Sequence, residues 1–420
     1  MAVSANPGSV GGRVRSVFRH GAFARYMAGE AVSMTGTWMQ VMAQAWVMTS
    51  LTTSAAMMGL VNFTSGIPML ALSLVGGVAA DRFDRRHILL VTQVAQICLA
   101  ITLGWLVAND LIRVWHVLAV AFVLGISNSF EMPAATALVP ELVPRSEVAS
   151  AIAVERSVFH GTRLIGPALG GYVVARLGTA SAFFLNACSF LALIVALMTI
   201  RPRGEYNFEE QKERRGGIRQ GISYVRSDPP TLGMIALMAA TTFFLFPVMA
   251  VMLPLYARNE LQLGPDKMGW LMGVAALGSF TGSVGLLAVP QTKRRILMLG
   301  GVAMASAALA SLGLARTFTV AAGSLIALTF GASMIIGLAN TIVQERAPSP
   351  LRGRVSSVAG LSFFGLMPFA SLGVTSVADI IGMRTAMLVS SGLFVLTGAA
   401  ILSRTSHRPT PSETPAPSFR

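Results

Sequence analysis

Long apolar runs recur along this chain and restrict its fold more than any other feature of the sequence. A helix that crosses a bilayer needs about 20 mostly apolar residues. Twelve such runs are predicted, with approximate limits 25–49, 55–79, 88–108, 114–136, 151–175, 179–200, 232–256, 268–289, 296–315, 318–341, 355–378 and 384–403. Only 12% of the residues are charged, whereas soluble domains carry about 25%. The sequence therefore predicts an all-α integral membrane protein with twelve transmembrane helices.

The distribution of Lys and Arg predicts the orientation. With the N-terminus inside the cell, and with Arg25, Arg156 and Arg384, at or near the ends of runs, counted with the adjoining loops, the cytoplasmic segments hold 25 Lys and Arg and the outer loops hold six. Arg163, in the middle of a run, completes the 32. Cytoplasmic loops of membrane proteins are enriched in these residues. Both termini are therefore predicted to be cytoplasmic, in a multi-pass protein of the cell (inner or plasma) membrane. The net charge of +14 then reflects topology, and no nucleic-acid partner is expected.

The longest loop between the runs divides the chain into two six-helix halves. Part of this loop, RQGISYVRSDP at 219–229, predicts a short amphipathic helix on the inner membrane surface. The predicted organisation is a basic cytoplasmic arm (1–22), a six-helix bundle (23–200), a central cytoplasmic loop (201–230), a second six-helix bundle (231–403) and a disordered cytoplasmic tail (404–420).

The two halves share short sequence echoes. An Arg-Arg pair at 85–86 follows the second run, and another at 294–295 follows the eighth, 209 residues later. ELVP at 141–144 follows the fourth run, and ERAP at 345–348 follows the tenth, 204 residues later. Two echoes at nearly one offset indicate a duplicated six-helix unit, an arrangement typical of secondary transporters.

A charged loop separates the second and third runs. Its pattern is G-x(3)-D-R-x-x-R-R, formed by Gly77, Asp81, Arg82, Arg85 and Arg86. In position and form it resembles the signature loop of the major facilitator superfamily, and this resemblance covers essentially the whole chain. The usual pattern has Gly where this chain has Asp84, a residue that tolerates a left-handed backbone better than most.

We interpret this loop as a conformational latch on the cytoplasmic side. Gly77 would let helices approach closely. Asp81 would cap the next helix or pair with a basic group on a neighbouring helix end. The arginines would hold acidic groups such as Glu131 at the end of the fourth run. Alternatively, the arginines serve only to fix the membrane orientation.

Further motifs narrow the resemblance. GPALGG at 166–171 resembles the Gly-Pro-rich motif of drug–proton antiporters, although Thr162 stands where that motif has another Gly. The motif implies a bent helix at Gly166, Pro167, Gly170 and Gly171, and ordinary small-residue packing is the alternative. A narrower resemblance, to enterobactin-type siderophore exporters and macrolide efflux proteins, is carried by GTWMQ (36–40), MPA (132–134), VPELVPRSEVASA (139–151) and LRGRVSS (351–357).

Three ionisable residues lie inside predicted spans. A charge at the bilayer centre costs roughly 2.5–3.5 kcal/mol on insertion scales, so Glu30, Glu131 and Arg163 are candidate functional residues. We hypothesise that Glu30 carries a coupling proton and that Arg163 modulates its charge. Alternatively, Glu30 reaches the inner interface or pairs with Arg25 or a loop arginine, and Arg163 binds an anionic substrate directly.

Polar and aromatic residues on the first run leave two interpretations open. Gln40 and Gln44 lie one turn apart, with Trp38 nearby. They would line a substrate cavity, or hydrogen-bond a neighbouring helix.

Other function classes lack support in the sequence. There is no P-loop pattern, no catalytic grouping typical of a membrane enzyme, and no metal-ligand spacing around Cys98 or Cys188. The resemblance implies a proton-coupled exporter of small amphipathic molecules, of drug or siderophore type, that uses the proton gradient and no cofactor. Its expected partners are a small-molecule substrate, protons and the lipid bilayer, and we expect a monomer. An importer or a lysolipid flippase on the same fold is the alternative.

Overall fold

The computed structural model describes residues 10–200, 218–286 and 290–404. The helices of the first range are α1 (Val10–Val17), α2 (Gly21–Leu51), α3 (Ala55–Arg82), α4 (Arg85–Ala108), α5 (Val114–Leu138), α6 (Val148–Leu177) and α7 (Thr179–Thr199). Those that follow are α8 (Ile218–Ser227), α9 (Pro229–Phe244), α10 (Pro265–Gly285), α11 (Arg294–Leu314), α12 (Phe318–Arg346), α13 (Arg352–Gly360), α14 (Met367–Ile381) and α15 (Met383–Arg404).

Every predicted apolar run coincides with helical structure in the described ranges. Within those ranges, nine helices are long and apolar enough to cross a membrane. The helices α2, α6 and α10 have 31, 30 and 21 residues and are not among the nine. Polar and small residues lower their hydropathy, and α2 and α6 also contain the ionisable residues Glu30 and Arg163.

The described chain forms two compact units. The first contains the described residues up to 200 together with 254–276, and the second contains 218–253 and 277–404. In the first unit, α2 packs against α6 and α7, while α3 and α4 pack against α5. In the second, α11 packs against α12 and α15, and α9 packs against the same two helices. Large buried side chains of α2, including Phe23, Tyr26 and Met27, form part of the first unit's core.

Glycines of the GPALGG motif bring α6 close to two neighbours in the first unit. A Cβ placed on Gly166 would lie 2.5 Å from Trp38 Cβ, and one on Gly170 would lie 2.9 Å from the Met39 carbonyl oxygen. On another side of α6, a Cβ on Gly171 would lie 2.5 Å from the Pro265 carbonyl oxygen. The helix continues unbroken through Pro167. These contacts support the small-residue packing interpretation of the motif.

Prolines in the second half are associated with π-helical turns. The helix that starts at α9 continues through π-helical Val248–Met252 and Tyr256–Glu260, close to Pro247 and Pro254. A third π-helical turn, Leu361–Gly365, leads into α14. Proline lacks the N–H that an α-helical hydrogen bond needs, and a wider turn absorbs the resulting irregularity.

The predicted basic arm contains an ordered helix. Within it, α1 packs on the start of α6. The Ser16 hydroxyl donates a 2.5 Å hydrogen bond to one oxygen of Glu147, and His20 Nε2 lies 3.0 Å from the other. The hydrogen bonds from Ser16 and His20 hold the pKa of Glu147 below its ordinary value. The remainder of the arm (1–9) and the predicted tail (405–420) lie outside the described residues.

The predicted amphipathic helix of the central loop is present as α8, and residues 201–217 lie outside the described part. One side of α8 packs on α13. The Tyr224 hydroxyl donates to the Arg346 carbonyl oxygen at 2.7 Å, and Arg346 donates to both oxygens of Asp228 at 2.8 and 2.9 Å. Burial raises the pKa of Asp228, but hydrogen bonds from Arg346 and Thr231 outweigh it and leave the pKa below its ordinary value. Protein contacts therefore fix α8, in addition to any membrane surface.

The packing around α6 predicts opposite effects for two Gly→Ala changes. Gly170→Ala places its Cβ against the Met39 backbone, whereas a Cβ on Gly161 meets nothing within 4 Å. We expect Gly170→Ala to destabilise the protein by about 1–3 kcal/mol through overpacking. Gly161→Ala should be neutral or stabilising, because Ala favours helix by about 1 kcal/mol over Gly. Thermal unfolding of the detergent-solubilised protein measures both, and equal midpoints would contradict the packing role.

Candidate functional site

A carboxylate inside the first unit is held by two buried amides. Gln93 and Gln96, one turn apart on α4, are 1% and 6% exposed. Gln93 Nε2 donates to Glu131 Oε1 at 2.8 Å, and Gln96 Nε2 donates to Glu131 Oε2. Both oxygens of the α5 carboxylate are therefore satisfied by neutral donors from one face of a neighbouring helix.

This polar network reaches a third helix. The Ser33 hydroxyl of α2 donates to Gln93 Oε1 at 3.4 Å, and Gln96 Nε2 also lies 3.4 Å from Ser127 Oγ on α5. Glu30, half-buried, precedes Ser33 by three residues and so lies near the same face of α2. The network thus joins α2, α4 and α5 around a carboxylate.

Glu30, Glu131 and Glu155 together form the carboxyl cluster. Glu30 lies within electrostatic range of Glu131 and of Glu155. The buried Tyr26 interacts with all three. Such a group of carboxyls in a low-dielectric surrounding can bind a proton or an organic cation, because either one relieves the repulsion between like charges. The described residues contain no grouping of His, Cys, Asp and Glu that could hold a metal ion.

Arg163 lies apart from these carboxyls. Its Cζ is 5.4 Å from the centroid of the Trp38 ring, and Trp38 meets Phe159 edge-to-face at 5.9 Å. The described residues show no hydrogen bond or ion pair between Glu30 and Arg163. Arg163 contacts an aromatic group, and its predicted influence on the charge of Glu30 stays a prediction.

The arginines of the charged loop bind other groups than the sequence analysis proposed. Arg85 forms an ion pair with Glu141, just beyond α5, and its Nε donates to the Ala80 carbonyl oxygen at 3.2 Å. Arg86 donates to the Met198 carbonyl oxygen at 3.1 Å, at the end of α7. The choice of Glu131 as their acidic partner was wrong, because that side chain points toward the glutamines of α4. Arginines suit helix C-termini, whose last carbonyls lack partners within the helix.

Two further assignments in this loop need correction. A Cβ on Gly77 would meet nothing within 4 Å, whereas Gly76 lies directly against the Ser129 carbonyl oxygen of α5. Close helix approach therefore occurs one residue earlier. Asp84 has φ −59°, outside the left-handed region, and caps α4 by accepting a 2.9 Å hydrogen bond from the Arg86 backbone N–H. Asp81 and Arg82 lie exposed in the last turn of α3, so the capping role belongs to Asp84.

The echoed motifs form the same contact in each half. Arg85 pairs with Glu141, and Arg294 pairs with Glu345 through two hydrogen bonds of 2.5 and 3.0 Å. In both cases an arginine at a helix start meets a glutamate near the end of the next helix. The sequence repeat is thus a repeated ion pair, as expected of a duplicated unit.

Gln40 has a structural role. It is 6% exposed, and Asn186 Nδ2 of α7 donates to its Oε1 at 2.7 Å. This contact favours the inter-helix hydrogen-bonding interpretation over cavity lining, because little of the side chain is left to touch a substrate. Gln44 and Trp38 are half-buried and retain free surface.

Comparison with known proteins decides the family. A model of the transmembrane secretion effector family, of major facilitator superfamily transporters, matches residues 15–419. The chain belongs to this family. It is therefore a multi-pass transporter of the cell membrane and not an enzyme.

Several relatives of this transporter are named as efflux proteins. It is 24% identical over 389 residues to the multidrug efflux pump Tap of Mycolicibacterium fortuitum, with 90% of this chain and 92% of the relative covered. It is 23% identical to macrolide efflux protein A of Streptococcus pyogenes, covering 89% and 93%. It is also 24% identical to the uncharacterised MFS-type transporter YfiS of Bacillus subtilis, covering 90% and 91%.

Solved structures share the fold of this transporter. A bacterial homologue of the human lysosomal transporter Spinster, in an inward-facing state, superposes with TM-score 0.71 at 15% identity, covering 92% of this chain and 97% of that one. A D-xylose–proton symporter gives TM-score 0.68 at 15% identity, covering 92% and 98%. At this level of identity the likeness extends to the fold alone.

The sequence analysis missed several residues of the transporter's polar contacts. Gln93, Gln96, Glu141 and Asn186 all bind residues that it had singled out or their neighbours. The signal was present, because two glutamines three residues apart in an otherwise apolar run share one helix face. A buried amide in a membrane helix needs a partner, and the partner is another polar group.

The repeated ion pairs predict unequal coupling energies. Arg85 and Glu141 are 13% and 10% exposed, whereas Arg294 and Glu345 are 18% and 48% exposed. Removing one member of a buried pair leaves an uncompensated charge, so Arg85→Ala should destabilise the transporter by about 3 kcal/mol. Glu345→Ala should cost less than about 1 kcal/mol, because water screens the exposed pair.

Double-mutant cycles in thermal unfolding measure the two couplings. The cycle for Arg85 and Glu141 should show the larger interaction energy. Equal couplings, or a larger one for Arg294 and Glu345, would contradict the burial argument.

Proposed function

We propose that this transporter is a proton-coupled exporter of small amphipathic molecules that works by alternating access. In this proposal it spans the membrane twelve times, has both termini in the cytoplasm, acts as a monomer, and uses the proton gradient without a bound cofactor. The positive-inside count and the coincidence of all twelve apolar runs with helices support this topology.

The observation that carries the proposal is the Glu131 carboxylate bound by Gln93 and Gln96 inside candidate membrane-spanning helices. An ionisable group inside a membrane-spanning helix needs a function or a counter-charge. Among the described residues Glu131 is bound only by neutral amide donors, so a function is the better explanation. The names of the relatives, multidrug and macrolide efflux proteins, support the export direction and the substrate class.

The carboxyl cluster provides the coupling group in this mechanism. We assign the coupling proton to Glu30 and Glu131 together, because Glu30 lies one turn before Ser33, whose hydroxyl donates to the glutamine that binds Glu131. When the proton leaves, the amide donors of Gln93 and Gln96 stabilise the Glu131 carboxylate. When the proton binds, the charge is removed and the repulsion from Glu30 falls. The proton released from the cluster is the one exchanged for substrate when the transporter changes state, which is the exchange that antiport requires.

The loop and the GPALGG motif have supporting roles in the proposal. Arg85 and Arg86 brace the cytoplasmic ends of α5 and α7 through the contacts with Glu141 and the Met198 carbonyl oxygen. We propose that this brace, with Asp81, acts as the latch that changes between states. The tightly packed glycines of α6 would let that helix slide against α2 without side-chain obstruction.

Loss of the pH gradient across energised vesicles, when a candidate substrate is added, tests the function. Inside-out vesicles from cells expressing the chain are energised by respiration, and a quenched dye reports the pH gradient while lipophilic cations, macrolides and catechol siderophores are added. We expect at least one compound to dissipate the gradient with wild type. Glu131→Gln and Glu30→Gln should abolish this response, because a glutamine cannot carry the proton.

Asp110→Asn is the matched control. Asp110 is an exposed carboxyl in the turn after α4 with φ 56°, a conformation that Asn also accepts. This variant should respond like wild type. An unchanged response in both glutamate variants would refute the assigned proton site. If wild type responds to no compound while present in the membrane, the export proposal fails and an importer or lysolipid flippase is favoured.

A further inference from the structure

Arg163 is a charge near the middle of the membrane without a described counter-ion. It is the sixteenth residue of the 30-residue α6 and is half-buried. Among the described residues, its guanidinium contacts the Trp38 ring and has no hydrogen bond or ion pair. A charged group at this depth is costly and faces a partner or a watery cavity. A cation–π contact leaves the five N–H donors of the guanidinium in need of acceptors.

A second unsatisfied donor lies in the same cluster. The indole Nε1 of Trp38 is buried and has no hydrogen-bond partner. An indole nitrogen can only donate, and a buried donor without an acceptor costs about 1–3 kcal/mol. We call the group formed by Trp38, Phe159 and Arg163 the Trp38 subsite. It combines two aromatic surfaces with two donor groups, the indole N–H and the guanidinium, that lack acceptors among the described residues.

A second tryptophan of α2, Trp46, also contacts an arginine, and that arginine has a hydrogen-bond acceptor. Arg258 lies over the Trp46 ring with its Cζ 5.0 Å from the centroid, and its Nη1 donates to Thr49 Oγ1 at 3.0 Å. The two tryptophans are eight residues apart on α2. The protein thus supplies a hydrogen-bond acceptor to the arginine that lies over Trp46. It supplies none, among the described residues, to Arg163 over Trp38.

A second cation lies on the same helix as Arg163. Arg156 precedes it on α6 by seven residues, about two turns. The carboxyl cluster forms no ion pair with Arg163 among the described residues. The surroundings therefore favour an incoming anion.

We infer that the Trp38 subsite binds the anionic group of an aromatic substrate, with a carboxylate on Arg163 and the ring against Trp38 and Phe159. The inference rests on the proposed transport function and names a substrate class for it. A carboxylate supplies the acceptors that the guanidinium lacks, in bidentate geometry. The exported molecules then carry an acidic group on an aromatic frame.

Binding of a rhodamine free acid and its methyl ester tests the subsite. The two dyes share one fluorophore and differ in the carboxylate, and fluorescence polarisation with purified, detergent-solubilised transporter gives their Kd values. We expect wild type to bind the acid roughly ten- to a hundredfold more tightly, the range for a hydrogen bond to a charged group. Arg163→Gln should remove this preference, Arg163→Lys should keep part of it, and Trp38→Phe should reduce it.

Arg258→Gln is the matched control, since it removes the satisfied arginine of the similar pair and should leave the preference unchanged. Monodisperse size-exclusion profiles show that each variant is folded. The inference is overturned if wild type does not prefer the acid, including failure to bind either dye, or if Arg258→Gln and Arg163→Gln have equal effects. A preserved acid preference without proton release in vesicles would instead refute the proposed coupling and leave the subsite standing.

Discussion

The need to satisfy polar groups in a low-dielectric surrounding determines the arrangement of the first unit. Helices in a bilayer gain little from burying apolar side chains against one another, because lipid is equally apolar. The contacts that distinguish one helix partner from another are therefore polar or very close. Glu131 with its two glutamines connects α4 and α5, while Gln40 with Asn186 connects α2 and α7. Each polar residue selects both a neighbour and a rotation of its helix.

Close backbone approach is the second means of selecting partners. Gly36 lies against Asn186 and Ser189 of α7, at the crossing where Gln40 receives its hydrogen bond. Gly166 and Gly170 bring α6 onto the same α2. Helix α2 is thus held by α7 and α6 through glycines. A helix less apolar than its neighbours is stable here because its polar groups meet partners.

The sequence predicted the helices well and the contacts between them poorly. Long apolar runs fix where a membrane helix begins and ends, and the echoed motifs indicated the duplication. In contrast, a helix that is apolar on all sides has no periodicity that shows which face meets which neighbour. The sequence therefore indicated Gly77 where Gly76 makes the contact, and Glu131 where Glu141 binds Arg85. The role of Gln40 stayed open until Asn186, distant in sequence, was seen beside it.

The repeated ion pair has a consequence for how the halves respond to their medium. Dissolved ions screen exposed charges, with a Debye length of about 8–10 Å near physiological ionic strength. Buried pairs are screened much less. Glu345 is 48% exposed and Glu141 is 10% exposed. A rise in the ionic strength of the surrounding solution would therefore weaken the Arg294 contact while leaving the Arg85 contact nearly unchanged. The two similar contacts are therefore unequal, and the ionic strength of the surroundings acts mainly on the exposed one.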